Sequence, residues 1–214
     1  MEQKEAGLLA ITKGSSTTAN LGGCRLTEEE LSSVAAALAI NTTLTRLNME
    51  DSLLGDPGAA EIAETLVGNR TVTELNLCRN DIGEEGAAAI GDLLRANTAL
   101  TSIDLAGNDI GRYGAAAIAE GLRVNVVLTE IDLGSNGIVA KGAAAIADAL
   151  KVNSTLCTVG LWGNAIGPEG AAAIVDALKV NTTLRELSFG NNDIGPEDEA
   201  AIDAALNDNN ATTA

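Results

Sequence analysis

The sequence predicts an α/β repeat protein in which strand–turn–helix units of fixed length stack side by side. Three observations predict it. Six segments align without an insertion, each 28 residues after the last: "LTRLNMEDSLLG" from Leu44, "VTELNLCRNDIG" from Val72, "LTSIDLAGNDIG" from Leu100, "LTEIDLGSNGIV" from Leu128, "LCTVGLWGNAIG" from Leu156 and "LRELSFGNNDIG" from Leu184. The following halves repeat as well, as "GAAAIGDLLRAN", "GAAAIAEGLRVN", "GAAAIADALKVN" and "GAAAIVDALKVN". Finally, hydrophobic residues make up 46% of the chain and aromatics only 1%, so the core is built from Leu, Ile, Val and Ala. That composition suits many equivalent packing units better than one bulky centre.

In chain order, residues 1–15 read as an N-terminal extension or cap. A divergent unit, "ANLGGCRLTEEELSSVAAALAIN", comes next, with Cys24 where later units carry Asn. Counting it, about seven units fill residues 16–211, and the unbroken register tells against a second domain. Residues 212–214 form a tail, and the polar run "NDNNATTA" is expected to be mobile. Within a unit, the LxxLxL half has apolar residues at strand spacing, and the GAAAIxxxL half has its large apolar residues four apart on one helical face.

Helix boundaries carry their own signals. Pro57, Pro168 and Pro196 stand where a first-turn proline is tolerated, Glu169 and Glu197 stand beside the positive dipole end, and Thr27-Glu28-Glu29-Glu30 is a capping box. Arg95, Arg123, Lys151 and Lys179 fall in last turns, each three residues after Asp92, Glu120, Asp148 or Asp176, which gives a solvated face of acid–base pairs. Asn80, Asn108, Asn136, Asn164 and Asn192 recur just after the strand, where a side-chain amide can satisfy buried backbone groups of its turn and of the adjacent unit. Five N-x-[ST] sequons begin at Asn41, Asn69, Asn153, Asn181 and Asn210; four share the position after the helix, where Asn is favoured in a left-handed helix end.

The pattern LxxLxLxxNxI followed by a full helix resembles the ribonuclease-inhibitor type of leucine-rich repeat, over nearly all of residues 16–211. Similar repeats occur in ribonuclease inhibitor, Ran GTPase-activating protein, tropomodulin and NOD-like receptors. The resemblance implies a right-handed, horseshoe-shaped solenoid with a parallel β-sheet on the concave face and α-helices on the convex face. Ribonuclease inhibitor itself is longer and rich in cysteine and aromatic residues, so the match is to the repeat class.

Composition excludes several chemistries. The chain has no histidine, which removes Ser-His and Cys-His nucleophiles and the commonest zinc ligand. Cys24, Cys78 and Cys157 lie in different units with no paired spacing, which suits reduced thiols in a cytoplasmic protein. No GxxxxGK[ST] phosphate loop appears, and carboxylates such as Asp104 and Asp132 are column-mates in a repeat. No catalytic, metal or cofactor residue is therefore expected. Thirty acidic against thirteen basic residues give a net charge of −17, which argues against nucleic acid and anionic membrane and favours a basic protein partner. Neither a signal peptide nor a membrane span is expected.

On the expected solenoid, residues between the strand leucines point to the concave face. A first column reads Arg46, Glu74, Ser102, Glu130, Thr158, Glu186, and a second Asn48, Asn76, Asp104, Asp132, Gly160, Ser188. A third reads Glu50, Cys78, Ala106, Gly134, Trp162, Gly190, and beside it run Asp51, Arg79, Gly107, Ser135, Gly163, Asn191. These columns vary while the positions around them hardly change. Cys78 is expected to label faster than an inward-facing Cys24. Trp162, the only tryptophan, has Gly134 and Gly190 as column neighbours, so its indole either covers bare backbone or anchors a partner. Seven acids (Glu50, Asp51, Glu74, Asp104, Glu130, Asp132, Glu186) face Arg46 and Arg79, a field that steers a basic partner. The expected function is a monomeric, cytoplasmic, non-enzymatic interaction scaffold. The partner face comprises Trp162, Glu74, Asp104, Glu130, Asp132, Glu186 and Arg79. A GTPase-activating regulator and a cytoskeletal or ciliary spacer stand as alternatives.

Overall fold

The structure is a computed structural model that describes residues 2–211. Its elements run α1 (Glu2–Lys13), β1 (Thr18–Asn20), α2 (Glu28–Ile40), β2 (Arg46–Asn48), α3 (Gly55–Gly68), β3 (Glu74–Asn76), α4 (Glu84–Ala96), β4 (Ser102–Asp104), α5 (Gly111–Leu122), β5 (Glu130–Asp132), α6 (Val139–Leu150), β6 (Thr158–Gly160), α7 (Gly167–Leu178), β7 (Glu186–Ser188) and α8 (Pro196–Ala211). The strands form one open parallel sheet in chain order. Each strand residue pairs with the residue 28 further on, so Arg46, Glu74, Ser102, Glu130, Thr158 and Glu186 stand in one row. Strands are three residues long because only the central residue, such as Leu47, Leu75, Ile103 or Ile131, turns into the core; its two neighbours face out. The result is the expected α/β solenoid with a concave parallel sheet and convex helices.

Leu, Ile, Val and Ala from strands, turns and helices fill one continuous core. Helices α5, α6 and α7 pack closely because each carries a glycine against an alanine of its predecessor. A Cβ on Gly114 would lie 2.7 Å from the Ala87 Cβ, and one on Gly142 3.0 Å from that of Ala115. Such contacts leave no room for growth, since overpacking a close-packed interior costs about 1–3 kcal/mol.

The backbone ends that stacking leaves unpaired are satisfied by ladders of side chains. Asn80, Asn108, Asn136, Asn164 and Asn192 are buried as expected. Asn164 is typical: its Nδ2 donates to Leu133 O and Leu161 O, and its Oδ1 accepts from the N–H of Asn136 and of Ile138. Ser52 fills the same position in the second unit, donating to Leu21 O. A second ladder follows the helices, through Asn41, Asn69, Asn97, Asn125, Asn153 and Asn181. Here the expected left-handed backbone is not found. Asn41, Asn69 and Asn97 are extended, with φ −72°, −73° and −78°. The side chain does the work instead: Asn69 Oδ1 accepts from the N–H of Thr71 and Val72, and Nδ2 donates to Leu38 O and Asn41 O of the preceding unit. Threonines form a third ladder, in which Thr73, Thr101 and Thr129 donate Oγ1 to the carbonyl of the threonine one unit earlier.

The two ends depart from the repeat. Helix α1 stands where a preceding unit's helix would: Asn41 donates its Nδ2 to Ile11 O, Ile11 is buried, and Lys4 pairs with Glu30 of α2 at 2.5 Å. Gly7 lets α1 press against β1, since a Cβ there would lie 2.6 Å from Asn20 O. At the other end, most of the run expected to be mobile is helical. Helix α8 continues through Ala211 because Asn209, 28 residues after Asn181, is buried against the last unit and donates to Leu184 O at 3.5 Å. Residues 212–214 lie outside the described residues. Among the described residues, no helix is long and apolar enough to cross a membrane.

Candidate protein-interaction face

The first column lies on the strands and faces outward, with Arg46, Glu130 and Glu186 exposed and Glu74, Ser102 and Thr158 half-buried. Both arginines of the face are engaged. Arg46 Nε lies 2.7 Å from Glu74 Oε2, and Arg79 Nη1 lies 3.7 Å from Glu50 Oε1. No ion pair within the described residues neutralises Asp51, Asp104, Glu130, Asp132 or Glu186. Ser102 donates to Glu130 at 3.4 Å. The acidic bias read from the columns is thus concentrated in the middle and C-terminal units.

The second column has a structural duty that reading exposed columns does not find. Asn48, Asn76, Asp104 and Asp132 each turn Oδ1 back to accept the N–H two residues ahead, at 2.8–2.9 Å. The signal for it is present in the sequence, as Asn or Asp at the strand end with a turn behind it. Burial pushes the Asp104 carboxyl above the usual carboxylate range; the Ala106 N–H opposes this, and Asp132, Glu50 and Glu130 add to it. At Gly160 the Asx pattern breaks, because a Cβ there would fall on the Asp132 carboxylate.

The third and fourth columns lie just past the strands, in the turns at the C-terminal edge of the sheet. Every member of the fourth has positive φ: Asp51, Arg79, Gly107, Ser135, Gly163 and Asn191 lie between 51° and 70°. Its composition is therefore constrained by backbone, and Gly or Asn there costs least. The surroundings of Cys78 work against the fast labelling expected of it. Burial first, then Asp104 and Glu50, push its thiol up to about 11, so little thiolate exists at neutral pH. Cys24 is half-buried against the core.

Trp162 is 49% exposed and leans to one side. A Cβ on Gly190 would lie 3.3 Å from its Cδ1 and 3.6 Å from its Nε1, whereas near Gly134 only the Trp162 carbonyl comes close. The indole therefore covers Gly190 with its pyrrole edge, and about half of the residue stays exposed. The covering role thus holds on the Gly190 side. Among the described residues no cluster of His, Cys, Asp and Glu is arranged to hold a metal ion.

The family model described as Leucine Rich repeat matches residues 41–63, 68–91, 96–119, 124–147 and 180–199, together more than half of the chain. The chain belongs to the leucine-rich repeat family. The stretch between the last two matches holds the unit with Cys157, Gly160 and Trp162, which departs from the repeat at three positions of one strand and turn. No curated protein matches the sequence. Among solved structures, the chain is similar to leiomodin-1 actin-binding site 2, at 20% identity over 98% of this chain and 91% of that one, with a TM-score of 0.43. It is similar also to the tropomodulin C-terminal domain of Caenorhabditis elegans, at 11% identity over 98% and 94%, with a TM-score of 0.49.

Proposed function

We propose that this leucine-rich repeat protein is a non-enzymatic, cytoplasmic scaffold that binds a basic protein partner on its concave face as a monomer. The observation that carries the reading is the charge balance of that face. Its two arginines are already paired, and among the described residues five carboxylates of the face form no ion pair, on the same side of the molecule as a half-exposed indole. Aromatic side chains in such settings carry a large share of binding energy, while rim carboxylates mainly raise the association rate. The partner residues are Trp162, Glu74, Asp104, Glu130, Asp132 and Glu186, with Arg79 holding Glu50 in place.

Trp162→Ala is expected to weaken a captured partner roughly thirtyfold or more. Glu130→Lys with Glu186→Lys should slow association and flatten its dependence on salt. Reversal of Asp148 and Asp176 on the convex helices should leave binding unchanged. Surface plasmon resonance at two ionic strengths reads all three. Loss of binding in the convex control with none at Trp162→Ala would move the interface off the concave face.

A further inference from the structure

In five consecutive units the second column holds Asn20, Asn48, Asn76, Asp104 and Asp132. Oδ1 of each accepts a backbone N–H: those of Gly22, Glu50, Cys78, Ala106 and Gly134, at 3.0, 2.9, 2.9, 2.9 and 2.8 Å. Only oxygen can accept there, so the bond fixes which way each amide points and aims the second atom away from its own turn. That atom is Nδ2, a donor, in three units and Oδ2, an acceptor, in the next two. None of the three Nδ2 groups has an acceptor within the described residues. Parallel strands lie about 4.8 Å apart, so the row runs roughly 19 Å along the solenoid, donors first and acceptors after. Two hollows follow it. One of ≈ 340 Å³ runs from Asn20 past Arg46, Asn48, Glu74 and Asn76 to Asp104, where the acceptors begin, and one of ≈ 370 Å³ is lined by Glu130, Asp132, Glu186 and Leu206.

The two halves differ in charge as well as in hydrogen bonding. The donor half has no free cation, because Arg46 is spent on Glu74 and Arg79 on Glu50, and Asp51 is its one unpaired carboxylate on the four columns. It therefore fits uncharged acceptors better than phosphates or carboxylates. The acceptor half carries carboxylates and fits a cationic side chain. A nucleic-acid strand would bring phosphates against Asp104 and Asp132. An extended polypeptide brings carbonyl oxygens and lysine or arginine on one chain.

Resting on the concave face as the protein-binding face, we propose that this row sets the polarity of an extended basic polypeptide segment lying along the solenoid. Its backbone carbonyls meet Asn20, Asn48 and Asn76, and its lysine or arginine side chains meet Asp104 and Asp132. The protein itself exchanges Asn for Asp in this column while keeping the turn bond, so the exchange tests polarity without disturbing the fold.

The test uses the ¹⁵N-labelled full chain and the blocked peptide acetyl-KKKGSGSGS-amide, with a nitroxide on the neutral end in a second sample. The side-chain amide signals of Asn48 and Asn76 are expected to shift on titration, and the nitroxide to broaden Asn20 and Asn48 most. Asp104→Asn with Asp132→Asn should weaken the peptide at least threefold. The charge-neutral exchange Asn48→Asp, Asn76→Asp, Asp104→Asn, Asp132→Asn should move the broadening toward residues 104 and 132, with an unchanged backbone fingerprint. Binding with silent Asn side-chain amides, or the same broadening in the exchanged chain, overturns the row and leaves the acidic face standing. Failure of the lysine peptide to bind the concave face at all overturns both.

Discussion

At the scale of single residues, Val139 is the clearest cost in the chain. Its φ is 52°, where Gly55, Gly111 and Gly167 stand in equivalent units at 59°, 61° and 62°. Its N–H donates to Asn164 O at 3.0 Å, the same bond Gly111 makes to Asn136 O, so the ladder holds a β-branched residue in the left-handed region. That conformation costs a non-glycine residue about 1–2 kcal/mol, and glycine's looser unfolded state returns part of it. Val139→Gly is therefore expected to stabilise by about 1 kcal/mol, read as a higher urea midpoint at unchanged slope. Asp104 makes a second case, with pH as the lever. Its folded pKa is raised, so the folded state binds the proton more tightly, and its contribution to stability falls as pH rises through the window above its unfolded value of about 3.9. Glu30 behaves oppositely: its hydrogen bond to Lys4 holds its pKa down, so its contribution is present above the unfolded value and lost as pH falls. Asp104→Asn keeps an oxygen for the Ala106 N–H and removes the charge. It should raise the thermal midpoint at pH 7, and the gain should vanish in acid, where wild-type Asp104 is neutral in both states. A gain that persists undiminished below pH 3 would mean that the charge is not the cause.

At the scale of elements, the ladders decide whether a unit can stack. Asn164 is fully buried and serves four backbone groups, two as donor and two as acceptor, in its own unit and the one before it. Asn164→Ala strands them, at about 1–3 kcal/mol for each group that water does not reach. A loss of about 3–5 kcal/mol is expected by urea unfolding, against less than 1 kcal/mol for an exposed control such as Asn191→Gly, which sits at φ 57°. The register of these elements was legible because a fixed 28-residue period aligns every strand and helix, and the first asparagine ladder was legible for the same reason. The threonine ladder was not, because Cys157 and Arg185 interrupt it. The second asparagine ladder was seen as a recurrence but given the wrong physics, since a helix-end Asn can act through φ or through its amide, and only coordinates separate the two. On the candidate face, Trp162 and the acidic bias were legible by comparing units within one chain. The pairing of Arg46 and Arg79 was not, because a column says nothing of which long side chains meet across it. Helix α1 belongs to no repeat, so its place as a substitute for a preceding unit's helix could not be read from the period.

Across the whole molecule, the described helices all run the same way, so their dipoles add instead of cancelling. Charge is arranged against that sum: Glu28, Glu29 and Glu30, Asp56, Glu84 and Glu85, Glu169, and Glu197, Asp198 and Glu199 lie in first turns. Arg95, Arg123, Lys151 and Lys179 lie at the opposite ends. Part of the −17 net charge is thus an edge that offsets stacked dipoles. The last unit adds a further use of charge. In α7 the glycine–alanine pair that seams neighbouring helices is Gly170 and Ala171; 28 residues on, α8 has Asp198 and Glu199. Asp198 stands where glycine lets a helix approach its predecessor, so α8 is held off from α7. Glu199 stands, exposed, where an alanine in the earlier units receives the next helix, so this face of α8 presents charge in place of a seam. Charge on this face trades packing for solubility. Asp198→Gly with Glu199→Ala should reverse the trade: amide exchange in α8 slows at least tenfold, and the chain begins to associate end to end as concentration rises, read by light scattering. Slower exchange without association would show that Glu199 is not what keeps copies of the chain apart. Association without slower exchange would show that Asp198 does not loosen α8.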